Sequence, residues 1–493
     1  MLTHNSILDK KQNRIIYAIG ASILLIVCIA VCLNRYELAL IPSALGVLFL
    51  CFYKPEFYAL ILCFLVPLSV FVEDIGGGFG VSLPTEPMIW LLFLYYIFYL
   101  LMNGKINIEF IKTPLVLAIF LNFGWMFITV IASSMPFVSL KYFLARSWFM
   151  VIFFLFLFKI FKNPLFIRRY LTYMIYGSCI VVCYTLVKHY GEDFSRGWGY
   201  LIMNPFFSDH TIYAAYIAFF IPVSVMLVLR GNFFNLSVFH RIVFAFISLI
   251  LILGIIFSYT RAAWVSLIAA ILFYGLIKLK IKFQTILITI LVVASGFFIY
   301  QDKILYNLEA NKKGSADDLE AHAQSVSNIT TDPSNLERMN RWNCAFSMFK
   351  ERPIFGFGPG TYTFQYAPFQ NSKDLTLIST NSGDLGNTHS EYFNALSEMG
   401  IFGLISWLAV FLSSLALGLK IVYQIKRPAW QRSLTTALLL GLITYYVHAF
   451  LNNYSDFDKI AAPLWGFMAI MVAISFYWPY NKENVEKLTN LIE

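Results

Sequence analysis

Charge is what this sequence has least of. Its 493 residues carry 36 Lys and Arg against 27 Asp and Glu, 13% in all, where a soluble domain is about one quarter charged. That shortage excludes an ordinary water-soluble enzyme. The 59% hydrophobic content excludes a disordered chain. Cysteine is sparse too, with seven residues, which excludes a disulfide-rich secreted module. Cys28, Cys32, Cys51, Cys63, Cys179 and Cys183 fall in apolar runs and suit small packing positions. Cys344 stands apart from them, and no CxxC spacing offers a metal site. No internal repeat is present. What the chain has instead is 49 Phe and a mean hydropathy of +0.70. The net charge of +9 would suggest nucleic acid in a soluble protein. In a polytopic membrane protein it reflects basic cytoplasmic loops, and no nucleic-acid partner is expected.

At about 20 residues per span, apolar runs predict fourteen transmembrane helices near 15–33, 38–53, 57–72, 87–102, 114–132, 142–160, 170–187, 211–229, 242–258, 262–279, 283–300, 400–423, 433–451 and 460–478. The fold class is an all-α polytopic membrane protein with about 12–14 such helices. The first run has the basic flank of a signal peptide (Lys10, Lys11, Arg14) without a convincing cleavage site, so it reads as an uncleaved helix. With the N-terminus inside, 21 basic residues fall on cytoplasmic segments and 7 on short outer ones. Long loops do not count in that comparison. Both termini are therefore expected in the cytoplasm, and segment 301–399 outside it. Four regions follow: a bundle of about 11 helices over 1–300, a large outer loop domain over 301–399, three helices over 400–480, and a tail over 481–493.

The outer loop is polar from Asn311 to Asp332. Residues 335–350 then read as a helix with Leu336, Met339, Trp342, Ala345, Phe346 and Phe349 on one stripe. Gly356, Gly358, Pro359 and Gly360 form a turn. A second helical pattern over 390–399 stops at Gly400.

A few outer polar residues need a reason. Arg261, in FSYTRAAWVSLIAA, sits between two apolar runs with almost no loop. It suits either a snorkelling contact to lipid head groups or a bundle-facing anion site. Arg196, in an aromatic loop, suits an ion pair with Glu192 or Asp193 as well as it suits a ligand. Arg146 is a further outer cation. Arginine's planar fork is well matched to phosphate. His210 begins a helix that Asp209 or Ser208 can cap, and a hydrogen-bonding role fits it. His389, where the loop returns to the membrane, has the chemistry of a general base; a satisfied surface role is the alternative. His322 and His448 read as structural, the latter heading a polar run with Asn452, Asn453 and Asp456. Glu391 and Glu398 are partners or helix-surface charges. Cations, one His and an amphipathic loop converging on one face suit a lipid-linked phosphate, with a base to promote attack on the attached group. Trp198, Tyr200, Trp342 and Tyr362 suit sugar stacking or an interfacial belt. A transporter would be expected to put polar or broken helices at mid-membrane, where these spans are polar-poor.

The segment RWNCAFSMFKERPIFGFGPGTY (341–362), then NTHSEYFNALSEMGIFGL (387–404), resembles the O-antigen ligase/polymerase superfamily. SYTRAAW (258–264) and the layout of many spans, one large outer loop and about three final spans resemble it too. The resemblance implies a GT-C-like glycosyltransferase of the bacterial inner membrane, acting at the periplasmic face. It implies transfer of a glycan from undecaprenyl-diphosphate to lipid A-core or another glycan acceptor, without metal or cofactor and with inversion. It implies Arg261 and Arg196 on the diphosphate, with Arg146 a rival for the second place, and His389 as base. Arg338 or Arg341 would shape the loop or touch substrate. A polymerase using the same donor is the alternative within the superfamily. Transfer to protein Ser and a flippase are further readings.

Overall fold

The computed structural model describes residues 40–73, 80–104, 108–289, 333–372 and 386–479, and the isolated positions 292, 295, 375 and 379. The first expected span, Cys28, Cys32, Arg35, the polar loop start with His322, and the tail lie outside the described residues. The expected span 283–300 is described as helix only through 289.

Helix is the dominant element, as a chain of apolar runs in lipid requires, because only helices and closed barrels satisfy their backbone groups there. Two shorter helices come first, α1 (Leu40–Tyr53) and α2 (Pro55–Leu65). The run expected over 57–72 is not one helix. It gives way to a single 3-10 turn carrying Pro67, which has no N–H to continue the ladder. A two-stranded antiparallel hairpin follows, β1 (Val70–Val72) against β2 (Val81–Leu83). The next helices are α3 (Thr85–Asn103), α4 (Pro114–Ile131), α5 (Pro136–Ile160), α6 (Pro164–Tyr190), α7 (His210–Arg230), α8 (Val238–Ile256) and α9 (Arg261–Lys278). Then come α10 (Pro333–Glu351), α11 (Glu391–Tyr423), α12 (Ala429–His448) and α13 (Asp458–Tyr477). Nine of the described helices are long and apolar enough to cross a membrane, and the protein is a multi-pass membrane protein.

Helix starts follow the sequence chemistry. Asn163 caps α6 by accepting from the Leu165 N–H at 3.0 Å, with Pro164 in the first position. The Asp209 carboxylate caps α7, accepting from the N–H groups of Thr211 (2.6 Å) and Ile212 (3.1 Å).

Burial differs among the helices. The α13 helix is enclosed on nearly all sides, from Ile460 to Ile474, so it is apolar all round as a central membrane helix should be. It packs against α5 where Val151–Phe156 loosens into a π-helical stretch. The α7, α9 and α12 helices form a second packed group, and α11 lies along α4. Outside this main core sits a smaller one, made by Cys344, Ala345, Met348, Phe357, Tyr362 and Tyr366. It belongs to the loop helix α10, found where residues 335–350 predicted it, and to the glycine-rich turn behind it.

That turn is fixed by α11. The α11 helix runs from Glu391 but breaks at Gly400, whose φ of +69° is left-handed. A Cβ there would lie 2.1 Å from the Ile354 carbonyl oxygen, so only glycine lets the turn approach. Across this contact Gly358 N–H donates to the Glu398 carbonyl at 2.8 Å and Ile401 N–H to the Pro353 carbonyl at 2.9 Å.

Candidate functional site

One end of the bundle gathers the 191–209 loop, the α8–α9 junction, the 386–390 segment and the α12–α13 loop. Hydrogen bonds tie them in sequence. The α8–α9 junction is tight: α8 ends at Ile256, Tyr259 is left-handed (φ 51°), and α9 starts at Arg261. The Tyr259 hydroxyl donates to the Phe194 carbonyl at 2.8 Å, and the Thr260 hydroxyl to the His210 carbonyl at 3.1 Å. At the start of α7, the Thr211 hydroxyl meets both Asp209 and the Tyr454 hydroxyl. Tyr454 donates on to Asn452 Oδ1 at 3.2 Å, and Asn452 Nδ2 lies 3.0 Å from His448 Nε2.

Arg261 occupies the first position of α9 and is half-buried. A cation there opposes the helix dipole, and the preceding Thr260 does not cap the helix, because its hydroxyl is turned to other carbonyls. First-turn N–H groups beside a guanidinium make an anion-accepting corner. Arg196 lies near Tyr259, holding that phenol toward lower values against the burial that raises it. Its loop is braced by His189, a residue sequence reasoning missed: 1% exposed at the end of α6, it sets Nε2 2.9 Å from the Ser195 carbonyl. The available signal was its position one turn before an arginine loop. Arg196 and Arg261 are thus carried on neighbouring segments, the first 65 residues from the second in sequence. His210 contributes structure: its carbonyl receives Thr260, and its ring stands edge-on to Tyr200, centroids 4.6 Å apart.

His389 reaches the same end from the loop. Its backbone is left-handed (φ 49°), held by a bond from its own N–H to Asn387 Oδ1 at 2.9 Å. The Trp342 indole N–H approaches its carbonyl at 3.5 Å. A non-glycine residue in that region is uncommon, though histidine is among those that adopt it more readily. Burial of the imidazole and the charges of Arg338 and Arg341 lower its pKa to about 4, with Glu337 and a hydrogen bond to Asn452 acting the other way. The ring is therefore neutral at pH 7, and its link to Asn452 joins the loop to the network around His448.

Arg338 and Arg341 flank the histidine in different ways. Arg338 Nε donates to the Leu451 carbonyl at 3.3 Å and so ties α10 to the α12–α13 loop. Arg341 is 3% exposed, pairs with Glu337 at 2.6 Å and stacks its guanidinium 3.8 Å from the Tyr366 ring centroid. It organises the loop from inside.

Arg146 is differently placed. It is 7% exposed, donates to the Tyr142 hydroxyl at 2.8 Å and lies over Trp407. Glu391 and Asp456 act on it electrostatically, so its charge is answered from within the protein. The carboxylate of Glu391 accepts from the Tyr445 hydroxyl (2.7 Å), the Ser455 N–H (2.7 Å) and the Ser455 hydroxyl (2.8 Å). Such a fully bonded carboxylate two residues after His389 locks the loop's return onto α12 and α13. Nearby, burial and Glu391 push the Asp456 carboxyl up to about 6, against the pull of Arg146. Glu398 is not a helix-surface charge: 3% exposed, it accepts from the N–H groups of Gly360 and Tyr362, each at 2.9 Å.

The arrangement provides two arginines on adjacent segments at this end of the bundle, a helix start without a side-chain cap, and a neutral imidazole on the loop that returns to it. Guanidinium groups suit an anion and a neutral imidazole suits a proton.

Residues 246–408 match the family model described as O-Antigen ligase, which supports membership of the O-antigen ligase superfamily. Arg261, Arg338, Arg341, His389 and Glu391 fall within the matched segment; Arg146, Arg196 and His210 precede it. An uncharacterised protein of Haemophilus influenzae (strain ATCC 51907 / DSM 11121 / KW20 / Rd) is 24% identical over 304 residues, covering 60% of this chain and 70% of the relative.

Proposed function

We propose that the protein is an O-antigen ligase that moves a glycan from undecaprenyl-diphosphate to lipid A-core at the periplasmic face of the bacterial inner membrane. The observation that supports this reading is the gathering of Arg261 and the neutral His389 at one end of the bundle, joined through Thr260, His210, Thr211, Tyr454 and Asn452, with Arg261 and His389 both within the segment matched to the O-Antigen ligase model. Arg261 and Arg196 hold the diphosphate. As the bond between the anomeric carbon and the diphosphate oxygen breaks, its electron pair goes to the leaving group, and the arginines stabilise the growing charge. The acceptor hydroxyl attacks the opposite face of the sugar and inverts the anomeric centre. His389 takes the hydroxyl proton. Bound diphosphate also raises the basicity of His389, because an anion nearby favours the imidazolium. A free-enzyme pKa of about 4 thus moves toward the range a base needs when the donor is present.

A polymerase would use the same donor and the same residues, with a second lipid-linked glycan as acceptor. Deleting the gene separates the two. Loss of a ligase leaves long carrier-linked polymer and bare lipid A-core; loss of a polymerase leaves single repeat units on the core. We expect the first pattern, and the second would replace ligase by polymerase.

A further inference from the structure

At the end of the bundle opposite the arginine–histidine site lies a cavity of about 620 Å³, within the size range of small-molecule sites. The two ends are fixed by the helices themselves: α6 runs from Pro164 at this cavity to Tyr190 beside the Arg196 loop, and α12 from near Trp430 to His448. Lys159, Lys162 and Arg168 line it, against one carboxylate among the described residues, Glu56. Phe233, Phe234 and Trp430 supply an apolar wall. The cations are arranged by the fold. Lys159 is held 3.3 Å from the Tyr99 ring centroid, and Arg168 Nη1 donates to the Phe234 carbonyl at 2.8 Å, which draws the guanidinium to the aromatic wall. The N-terminus of α6 opens into the same cavity, adding its positive dipole end. Leu165, also in the lining, is 38% exposed, so the wall continues outward as apolar surface.

We infer that this cavity is a binding site for the phosphodiester head group of an anionic glycerophospholipid, with the acyl chains lying along the aromatic wall. Three cations and a helix start supply the anion half of that recognition, and the apolar wall the chain half. A free phosphate shares the first chemistry but would leave Phe233, Phe234 and Trp430 without a role. The site is separate from the proposed glycan chemistry and stands without it. Its occupant braces the membrane end of α12, whose other end carries His448.

Native mass spectrometry of the full-length protein, released from mixed phosphatidylglycerol and phosphatidylcholine micelles, tests this. Phosphatidylglycerol should be retained selectively. Lys162→Gln should lower that retention about five-fold, the effect of one basic residue near an anionic lipid, and Lys159→Gln with Lys162→Gln further. Lys278→Gln, at the same membrane end but outside the cavity, should leave it unchanged. Millimolar inorganic phosphate should not displace the lipid. Equal retention of phosphatidylcholine, an equal loss in Lys278→Gln, or full displacement by inorganic phosphate would each overturn the assignment.

Discussion

At the residue scale, His389 is defined by what surrounds it more than by its own identity. Burial and the Arg338 and Arg341 charges lower its pKa to about 4. The sign of the pH effect follows: a base with a lowered pKa stays unprotonated as pH falls from 7, and is lost only as pH passes through about 4. The kcat/KM of the free enzyme should therefore stay level well below the ordinary histidine pKa of about 6.5. Removing a neighbouring positive charge with Arg338→Gln should move the acid limb to higher pH. A limb that stays in place would show that another group controls it. Sequence pattern drew attention to Arg261, set between two apolar runs with almost no loop, whereas His389 stood out from a satisfied surface histidine only through the family resemblance. It could not reveal that His389 is left-handed or that Arg338 lies close enough to tune it, since both depend on how a loop folds back over residues far away in the chain. For the same reason the sequence could not show that Tyr142, Trp407, Glu391 and Asp456 surround Arg146.

At the element scale, the break in α11 decides where the loop can go. Gly400 reverses the local backbone (φ +69°) so that the 353–360 turn packs on it, and Glu398 holds the N–H groups of Gly360 and Tyr362. Gly400→Ala would set a Cβ 2.1 Å from the Ile354 carbonyl oxygen and strain a left-handed residue. We expect a loss of roughly 1–3 kcal/mol, read as a lower thermal midpoint in detergent, with transfer activity falling alongside it. An unchanged midpoint would mean that the turn is not anchored there. The helical stripe of 335–350 and the stop at Gly400 were both legible, because helix period and glycine punctuation are local signals. The end of α2 at Leu65 was not, although Pro67 marked it: an apolar run carries no period that separates a helix from a turn and a short strand.

At the scale of the whole molecule, the two ends of the bundle carry different basic segments. The basic segments around Lys162, Arg168, Lys278 and Lys426 fall at the end opposite the Arg261–His389 site; the bias of basic loops toward the cytoplasm makes that end the proposed cytoplasmic one. Alkaline phosphatase fused after Ser372 should be active, and fused after Lys280 inactive; the reverse pattern would invert the protein and exclude a periplasmic site. One assay decides the proposed activity: transfer of glycan by the purified full-length protein from a defined undecaprenyl-diphosphate donor to lipid A-core. We predict transfer by the parental protein, with His389→Ala and Arg261→Ala each slower by about a hundred-fold or more. Transfer at the parental rate by either variant, or transport of the donor with no transfer, would contradict the account.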